Sequence, residues 1–372
     1  MAKRLLLLYI SQYSGHHYAS LAIEKAVSIL APDTQMMNIN AFNYTNPIME
    51  KVINRTYLGV IKKRPEIWEY LYDNPKVLRM VKGLREAIHR HNSPKLKKLI
   101  DEFRPNMIIC TQAFPCGMVA DHKRYDSLSV PLMAVLTDYA PHSYWLYNNV
   151  DFYVVPCENT GRRLVENGID PEKVKPFGIP VNPRFNHPID RSAILERLGF
   201  SETVPVVLIM GGTQGLGLIR ESVMALEKLE HRIQSIIVTG TNKNLFAWLE
   251  KRKSLLKNRT RVYGFVDNIE ELMSVSDLIV TKPGGMTTAE ALCKGLPILI
   301  VNPLPGQEMM NTNVLLREEV AIRAHNHTDV ALIIEELLEN RDKMSYMSQK
   351  AGAISRPDSA LNIARLALEA AR

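Results

Sequence analysis

Short apolar runs separated by segments of helical pattern are the feature that most restricts how this chain of 372 residues can fold. Strands that alternate with helices need crossover connections, which produce parallel sheets covered by helices on both faces. The pattern therefore predicts an α/β protein with doubly wound sheets. The strand candidates are residues 4–10, 35–40, 106–111, 131–136, 152–155, 174–177, 204–210, 235–239, 261–264, 278–281 and 297–301.

A proline-containing stretch, GIPVNPRFNHPID at residues 178–190, interrupts this alternation. Proline fixes φ and lacks an N–H, so we interpret the stretch as an exposed linker between two domains of similar size. We expect an N-terminal domain in residues 1–180, a C-terminal domain in residues 181–355 and a final amphipathic helix in residues 356–372. That helix can pack on either domain, and we expect it to pack back on the N-terminal one. Ligands of such sheets usually lie at the carboxyl ends of the strands, which predicts a site in a cleft between the domains.

The composition describes an ordinary soluble globular protein, with 46% hydrophobic and 23% charged residues. The apolar run at residues 5–10 follows two basic residues, as in a signal peptide, but it is too short, and we interpret it as a first buried strand. No apolar segment approaches the roughly 20 residues of a membrane span. The four cysteines have neither a C-x-x-C spacing nor the context of a disulfide framework, so we expect a cytoplasmic protein without a zinc site.

The positive charge of the chain, +7 overall, is concentrated between residues 51 and 104. That segment has 14 Lys and Arg against 6 Asp and Glu, a local balance of +8. Nucleic acid, an anionic membrane surface and an acidic substrate each fit such a balance, but no nucleic-acid motif accompanies it. A helical pattern near residue 80 combines an apolar face with basic residues, and aromatic residues precede it, which suits a lipid surface as well as core packing. The candidates for membrane contact are Trp68, Arg79, Lys82 and Arg85.

Two glycine-rich turns follow predicted strands in the second half of the chain. The first is GGTQGLGLI at residues 211–219, and the second contains Gly284 and Gly285. The first amides of a helix are unpaired and lie at the positive end of its dipole, so such turns attract phosphate groups. Either turn can also serve only to reverse the chain. Neither matches the G-x-G-x-x-G or G-K-[ST] pattern, which disfavours nicotinamide chemistry and ATP hydrolysis.

Polar residues near these turns are candidate ligands for a nucleotide and a sugar. The carboxylate of Glu290 can accept two hydrogen bonds from a vicinal diol, with Thr287, Thr288 and the helix amides at a diphosphate. Gln307, Glu308 and Asn311 follow the next strand at helical spacing, which suits sugar hydroxyls. The alternative for each is a solvated polar residue at the start of a helix.

Several motifs in both halves resemble one family in the family's own order. They are SGHHYAS at residue 14, LTDYAPHSYW at 136, VDFYVVP at 150, GIPVNPRF at 178, GGTQG at 211, YGFVDNI at 263, TKPGGMTTAEA at 281 and PGQEMMN at 305. The chain resembles the GT-B glycosyltransferases of the monogalactosyldiacylglycerol synthase and diacylglycerol glucosyltransferase group. That group is related to the lipid I N-acetylglucosaminyltransferase.

The resemblance implies a GT-B fold, in which two Rossmann-like domains face each other across a cleft. It implies an N-terminal domain on the acceptor and membrane side and a C-terminal domain for the nucleotide sugar. The expected reaction moves a hexose from a UDP-sugar to a lipid, with diacylglycerol as the expected acceptor. The expected location is peripheral, on the cytoplasmic face of the membrane, with no cofactor.

The resemblance also assigns roles to individual donor-domain residues. Gly212, Thr213 and Gly215 would lie at the diphosphate, together with the turn of Gly284 and Gly285. The backbone of Phe265 and Val266 would meet the uracil. Glu290 would bind the ribose, and Gln307, Glu308 and Asn311 would hold the transferred sugar.

An inverting transfer needs one base to take the proton of the acceptor hydroxyl. The candidates are His16 and Asp138, because each follows a strand of the first half and has a side chain that can accept a proton. The sequence has no D-x-D pair, which disfavours a bridging metal and leaves the diphosphate charge to helix dipoles and amides. A UDP-sugar epimerase and a UDP-sugar-sensing binding protein remain as alternatives, and the identity of the sugar stays open.

Overall fold

The computed structural model of the protein describes residues 2–45 and 94–371. The chain groups into two compact units. The first comprises Met1–Pro183, Leu304–Gln307 and Pro357–Arg372, and the second comprises Arg184–Pro303 and Glu308–Arg356. None of the helices in the described ranges is long and apolar enough to cross a bilayer.

The first unit contains a six-stranded parallel sheet in the order β2-β1-β3-β4-β5-β6. The leucine run predicted to form a first buried strand is β1, the second strand from one edge of this sheet. Leu5 and Leu7 lie in a core on one face, and Leu6 and Leu8 lie in a core on the other, because successive side chains of a strand alternate. The strands are β1 Arg4–Tyr9, β2 Gln35–Asn40, β3 Met107–Cys110, β4 Leu132–Val135, β5 Phe152–Val154 and β6 Val174–Lys175.

Helices cover both faces of this sheet, as continuous apolar parallel strands require. The C-terminal helix, Ser359–Ala370, belongs to this unit, where its Ile363 and Ala367 share a core with Ile23 of the first helix. The Oγ of Ser359 accepts a hydrogen bond from the amide of Val181 at 3.0 Å. The other helices are α1 Gly15–Leu30, α2 Ala41–Thr45, α3 Ala113–Tyr125 and α4 Glu158–Glu166; residues 94–103 are also helical.

The second unit has its own six-stranded parallel sheet, in the order β12-β11-β10-β7-β8-β9. Its strands are β7 Val206–Met210, β8 Gln234–Val238, β9 Arg259–Tyr263, β10 Leu278–Thr281, β11 Ile298–Ile300 and β12 Ala321–Arg323. Its helices are α5 Arg191–Leu198, α6 Ile219–Leu226, α7 Lys243–Glu250, α8 Ile269–Ser274, α9 Gly285–Cys293, α10 Gln307–Arg317, α11 His327–Glu339 and α12 Arg341–Ile354.

Strands form at all eleven predicted runs, with ends that differ by a few residues. The sequence did not predict β12, a strand of three residues that pairs only with β11 at the sheet edge. The proline stretch is not wholly irregular, since a short 3₁₀ helix forms at Pro183–Asn186. Proline is compatible with the first position of such a turn, because the N–H that it lacks would have no partner there.

Each sheet has a point where the chain reverses its direction of progress. In the first unit the chain passes from β1 to β2 on one side and then to β3 on the other. In the second it passes from β7 through β8 to β9, and then returns to β10 beside β7. Ligands of doubly wound sheets bind outside the carboxyl ends of the strands at such points. The loops after β1 and β3, and those after β7 and β10, are therefore the places to look for a site.

Candidate active site

His16 lies at the reversal point of the first sheet, in the first turn of α1. The N-cap is Ser14, whose side chain accepts a hydrogen bond from the amide of His17 at 3.3 Å. The imidazole Nδ1 of His16 lies 2.9 Å from the carbonyl oxygen of Thr111, directly after β3. A carbonyl only accepts hydrogen bonds, so Nδ1 carries the proton and Nε2 carries the lone pair. His16 is therefore held in the tautomer that a base requires.

Burial sets the charge state of this imidazole. Loss of hydration lowers the pKa of His16 to about 4, against a smaller opposing effect of the hydrogen bond to Thr111. At neutral pH the ring is uncharged. A neutral imidazole with Nδ1 bonded to a carbonyl can accept a proton at Nε2.

Thr137 links His16 to the other predicted base, Asp138. The hydroxyl oxygen of Thr137 lies 2.9 Å from Nδ1 of His16, and it donates to Oδ2 of Asp138 at 3.4 Å. Thr137 and Asp138 both follow β4, whose carboxyl end lies beside that of β3. The structure thus brings the two candidate bases into one hydrogen-bonded group, and the choice between them stays a prediction.

His142 adds a second neutral imidazole beside this group. Burial, and then the proximity of His16, lower the pKa of His142 to about 4. Sequence reasoning did not single out Thr111, Thr137 or His142. Their position directly after β3 or in the loop after β4 was the available signal, because these strand ends lie at one edge of a parallel sheet.

The first glycine turn of the second unit, residues 211–217, rests on the loop after β8. The amide of Thr241 donates to the carbonyl of Thr213 at 2.8 Å, and the side-chain amide of Asn242 donates to the carbonyl of Gly215 at 3.2 Å. Gly215 has φ of +58°, and a Cβ there would collide with the carbonyl oxygen of Thr239. Only glycine fits that position, so the turn packs its bare backbone directly against the loop after β8.

The second glycine turn leads from β10 into α9. Gly284 occupies the N-cap position and offers no side chain to the first amides of the helix. The side-chain amide of Asn311 donates to the carbonyl of Pro283 at 3.0 Å and so fixes the turn from behind. Because β10 pairs with β7, the two glycine turns occupy the reversal point of this sheet together. Uncapped helix amides at such a point form an anion site.

Two of the predicted ligand residues build this turn from the inside. Thr288 and Asn311 are both 0% exposed. The hydroxyl of Thr288 donates to the carbonyls of Gly284 at 3.1 Å and Gly285 at 3.0 Å. The hydroxyl donor of Thr288 and the side-chain amide donor of Asn311 therefore serve the backbone of the turn, and their contacts with diphosphate and sugar stay predictions. Thr287 is also buried, at 8% exposure.

Lys282 is a cation at the turns that the sequence reasoning did not single out. It follows β10 directly, and its Nζ forms an ion pair with Glu308, in the first turn of α10. A Cβ built on Gly212 would lie 3.5 Å from its Cε, and one built on Gly284 would lie 3.6 Å from its Nζ. The lysine side chain therefore runs between the two glycine turns. Glu308 thus contacts the turns through Lys282.

Glu290 lies half-buried on α9, one and a half helical turns beyond Gly285. Burial, and then the negative charge of Glu270, raise the pKa of Glu290 to about 8. The carboxyl group of Glu290 is therefore protonated at neutral pH in the protein without ligand. Arg184 partly balances Glu270, with 4.0 Å between its Nη1 and a carboxylate oxygen.

The remaining predicted residues lie at several places. Phe265, after β9, is 49% exposed, and Val266 is half-buried. Gln307 begins α10 and groups with the first unit. The predicted membrane residues, Trp68, Arg79, Lys82 and Arg85, lie outside the described residues.

One cluster of possible metal ligands occurs in the described part of the chain. It consists of His231, Glu335 and Glu339, whose ligand atoms lie within 4.8 Å of one another. His231 precedes the first residue of β8, so the cluster lies at the amino ends of the strands. The glycine turns lie at the carboxyl ends, and this cluster therefore has no part in the candidate site.

Two family models match consecutive parts of the chain. The model for monogalactosyldiacylglycerol (MGDG) synthase matches residues 16–181, and the model for the glycosyltransferase family 28 C-terminal domain matches residues 206–366. The first match begins at His16, and the second contains both glycine turns. The chain belongs to the GT-B glycosyltransferases that combine these two domains. The predicted family, fold class and enzyme class are thereby confirmed.

Curated relatives match over nearly the whole chain, and solved structures share its fold. The processive diacylglycerol beta-glucosyltransferase of Bacillus subtilis (strain 168) is 29% identical over 350 residues, which covers 93% of this chain and 90% of that protein. The Bacillus pumilus protein of that name is 28% identical over 348 residues, with the same coverage. Acinetobacter baumannii MurG has the same fold, with a TM-score of 0.64, 14% identity and 99% coverage of both chains. Anabaena Alr3699/HepE, in complex with UDP-glucose, has a TM-score of 0.58, 14% identity and coverage of 98% of this chain and 99% of its own.

Proposed function

We propose that this glycosyltransferase moves a hexose from a UDP-sugar to the hydroxyl group of diacylglycerol, with inversion at the anomeric carbon. The names of the curated relatives support the lipid acceptor, since they match over 93% of the chain. Those names specify a beta-glucoside. Single displacement on an α-linked nucleotide sugar yields that anomer, which favours glucose and an inverting reaction.

The observation that carries the donor half of the proposal is the pair of glycine turns at the β7–β10 reversal point. The uncapped start of α9, beside the first glycine turn, offers amide donors to a diphosphate. The complexes of Alr3699/HepE with UDP and UDP-glucose support a uridine nucleotide as the ligand of this fold. The absence of a D-x-D pair in the sequence favours amides and helix dipoles over a bridging metal.

The rest of the donor would lie along the same edge of the second sheet. The backbone after β9, at Phe265 and Val266, would meet the uracil, and the half-buried carboxyl of Glu290 would bind the ribose diol. Glu308, with Gln307, would hold hydroxyls of the sugar. Thr288 and Asn311 would act indirectly, by fixing the turn that binds the diphosphate.

The first unit would supply the base. The acceptor oxygen forms a bond to C1 of the hexose while the bond from C1 to the β-phosphate oxygen breaks, and its electron pair stays on UDP. The hydroxyl proton passes to Nε2 of His16, the free position of the imidazole whose Nδ1 is bonded to Thr111. Asp138 would stabilise the resulting imidazolium through Thr137.

We place the reaction at the cytoplasmic face of a membrane, because diacylglycerol resides in the bilayer. The basic balance of residues 51–104 supports attraction to anionic lipid. Trp68 suits the lipid–water interface, and Arg79, Lys82 and Arg85 suit acidic headgroups. The enzyme would then bind the surface peripherally, with no cofactor.

Product analysis tests this function directly. Purified protein is incubated with UDP-glucose, UDP-galactose or UDP-N-acetylglucosamine and with diacylglycerol vesicles, and lipid and nucleotide products are separated. We expect a monohexosyl lipid and equimolar UDP with one donor, with extended products if transfer repeats. Conversion of the UDP-sugar in the absence of lipid would indicate an epimerase, and binding without turnover would indicate a sensing protein.

A further inference from the structure

Lys282 is positioned to act on the leaving group. We propose that its ammonium group binds the β-phosphate of the departing UDP and that Glu308 holds the ammonium in place until the donor arrives. The inference rests on the proposed function, because it concerns the donor of that reaction.

The position of Lys282 follows from the sheet and the two turns. The residue lies at the carboxyl end of β10, next to the carboxyl end of β7. Its Cε lies 3.5 Å from the position of a Cβ on Gly212, and its Nζ lies 3.6 Å from that of a Cβ on Gly284. An anion bound by the amides of both turns would therefore meet this ammonium group. A single positive charge there complements a diphosphate better than amides alone.

Glu308 fixes the position of the Lys282 ammonium group before the donor binds. Its carboxylate lies in the first turn of α10, where the helix dipole stabilises a negative charge. The side chains of the pair are 20% and 12% exposed, for Lys282 and Glu308 in that order. Two charges so far removed from water need a partner at every stage. A diphosphate can replace the carboxylate as that partner, after which Glu308 can accept hydrogen bonds from sugar hydroxyls.

The chemistry requires no proton from Lys282. As the bond from C1 to the β-phosphate oxygen breaks, negative charge grows on that oxygen. The ammonium donates a hydrogen bond to it and stays protonated, while the acceptor proton goes to His16. Lys282 therefore stabilises the transition state and the bound UDP. It adds little to the binding of a nucleotide that lacks the β-phosphate.

The test compares UDP with UMP in calorimetric titrations of the wild-type protein and the Lys282→Met variant. A lost charge-assisted contact weakens binding about ten- to a hundredfold. We expect that loss for UDP, with UMP affinity within about threefold, and a similar fall in kcat. The matched control is Lys343→Met, which removes an exposed ion pair with Glu336 in the same unit. Its UDP affinity should equal that of the wild type.

Two further variants keep the test decisive if Lys282→Met folds poorly. Lys282→Arg retains the cation and should retain the preference for UDP over UMP. Glu308→Gln frees the ammonium and should bind UDP at least as tightly as the wild type. An unchanged ratio of UDP to UMP affinity in Lys282→Met, or a loss of UDP binding in Glu308→Gln, overturns the inference. If wild-type protein binds no uridine nucleotide, the proposed function itself fails.

Discussion

His16 and Thr111 are joined by two hydrogen bonds across the reversal point of the first sheet. Nδ1 of His16 lies 2.9 Å from the carbonyl oxygen of Thr111, and the hydroxyl of Thr111 donates to the carbonyl of His16 at 2.8 Å. The pair ties the start of α1 to the end of β3. It fixes the backbone and the ring of His16 together, so Nε2 has a defined direction and protonation state.

Substitution of His16 should remove the base without disturbing the donor. We expect His16→Ala to lower kcat by about a hundred- to ten-thousandfold, because general base catalysis contributes about that much. UDP affinity should change little, since the residues proposed for the diphosphate, uracil and ribose lie in the second unit. The control is His17→Phe, because the ring of His17 stacks on Tyr9 with centroids 4.3 Å apart. An equal loss of kcat in this control would contradict the assignment of the base to His16.

The pH dependence of turnover should reflect the low pKa of His16. The folded protein keeps this imidazole neutral down to about pH 4, so the acid limb of kcat against pH should not lie near 6.5. Unfolded protein takes up a proton near 6.5, which the folded state does not do until pH 4. Stability should therefore fall as pH drops between these values, and His16→Ala should reduce that fall. Both profiles are measurable, by initial rates and by urea denaturation, and an acid limb at pH 6.5 in the wild type contradicts the assignment.

Glu290 should bind its ligand as a neutral acid at pH 7, because its pKa is raised to about 8. Glutamine imitates a protonated carboxyl group in shape and charge. We expect Glu290→Gln to bind UDP-glucose within about threefold of the wild type, whereas Glu290→Ala should lose about tenfold through two lost hydrogen bonds. Glu271→Ala on α8 serves as the control, since that residue pairs with Arg197. Equal weakening in Gln and Ala variants, measured by calorimetry, would show that the ionised form is needed.

Gly215 should tolerate no side chain. Its φ of +58° disfavours L-residues, and a Cβ would also collide with the carbonyl of Thr239. Gly217 likewise has a positive φ, of +98°, but nothing lies within 4 Å of the position of its Cβ. We expect Gly215→Ala to destabilise the protein by several kcal/mol and to weaken UDP binding, and Gly217→Ala to cost about 1 to 3 kcal/mol. Equal losses of stability for the two variants in thermal denaturation would mean that the positive φ alone accounts for both losses.

Membrane attachment should depend on the basic segment. Lys82→Glu with Arg85→Glu should lower binding to vesicles of anionic lipid, and the loss should shrink as salt is raised. Each basic residue near such a surface contributes about 1 kcal/mol, so the double reversal should weaken binding by tenfold or more. Vesicle sedimentation measures this, with neutral vesicles as the control. Unchanged binding would remove these two residues from the membrane surface.

The terminal helix and the four cysteines show what pattern and composition predict without the structure. The apolar face of residues 359–370 predicted a helix packed back on the N-terminal domain but did not indicate which helix it meets, and the structure packs it beside α1. None of the four cysteines forms a disulfide. Amphipathic pattern gives a helix its buried face, whereas the choice of partner depends on how the chain returns in space.

The sequence by itself determined eleven of the twelve strands in the described residues, their alternation with helices and the two glycine turns. These are local properties, since the side-chain period and the backbone freedom of glycine depend on neighbouring residues only. The tertiary structure decided which polar groups meet. Strand order places β3 beside β1 and β10 beside β7, so Thr111 reaches His16 and Lys282 enters between the turns. It also buries Thr288 and Asn311, which look like ligands in the sequence, because only folding reveals that backbone carbonyls already use their donors.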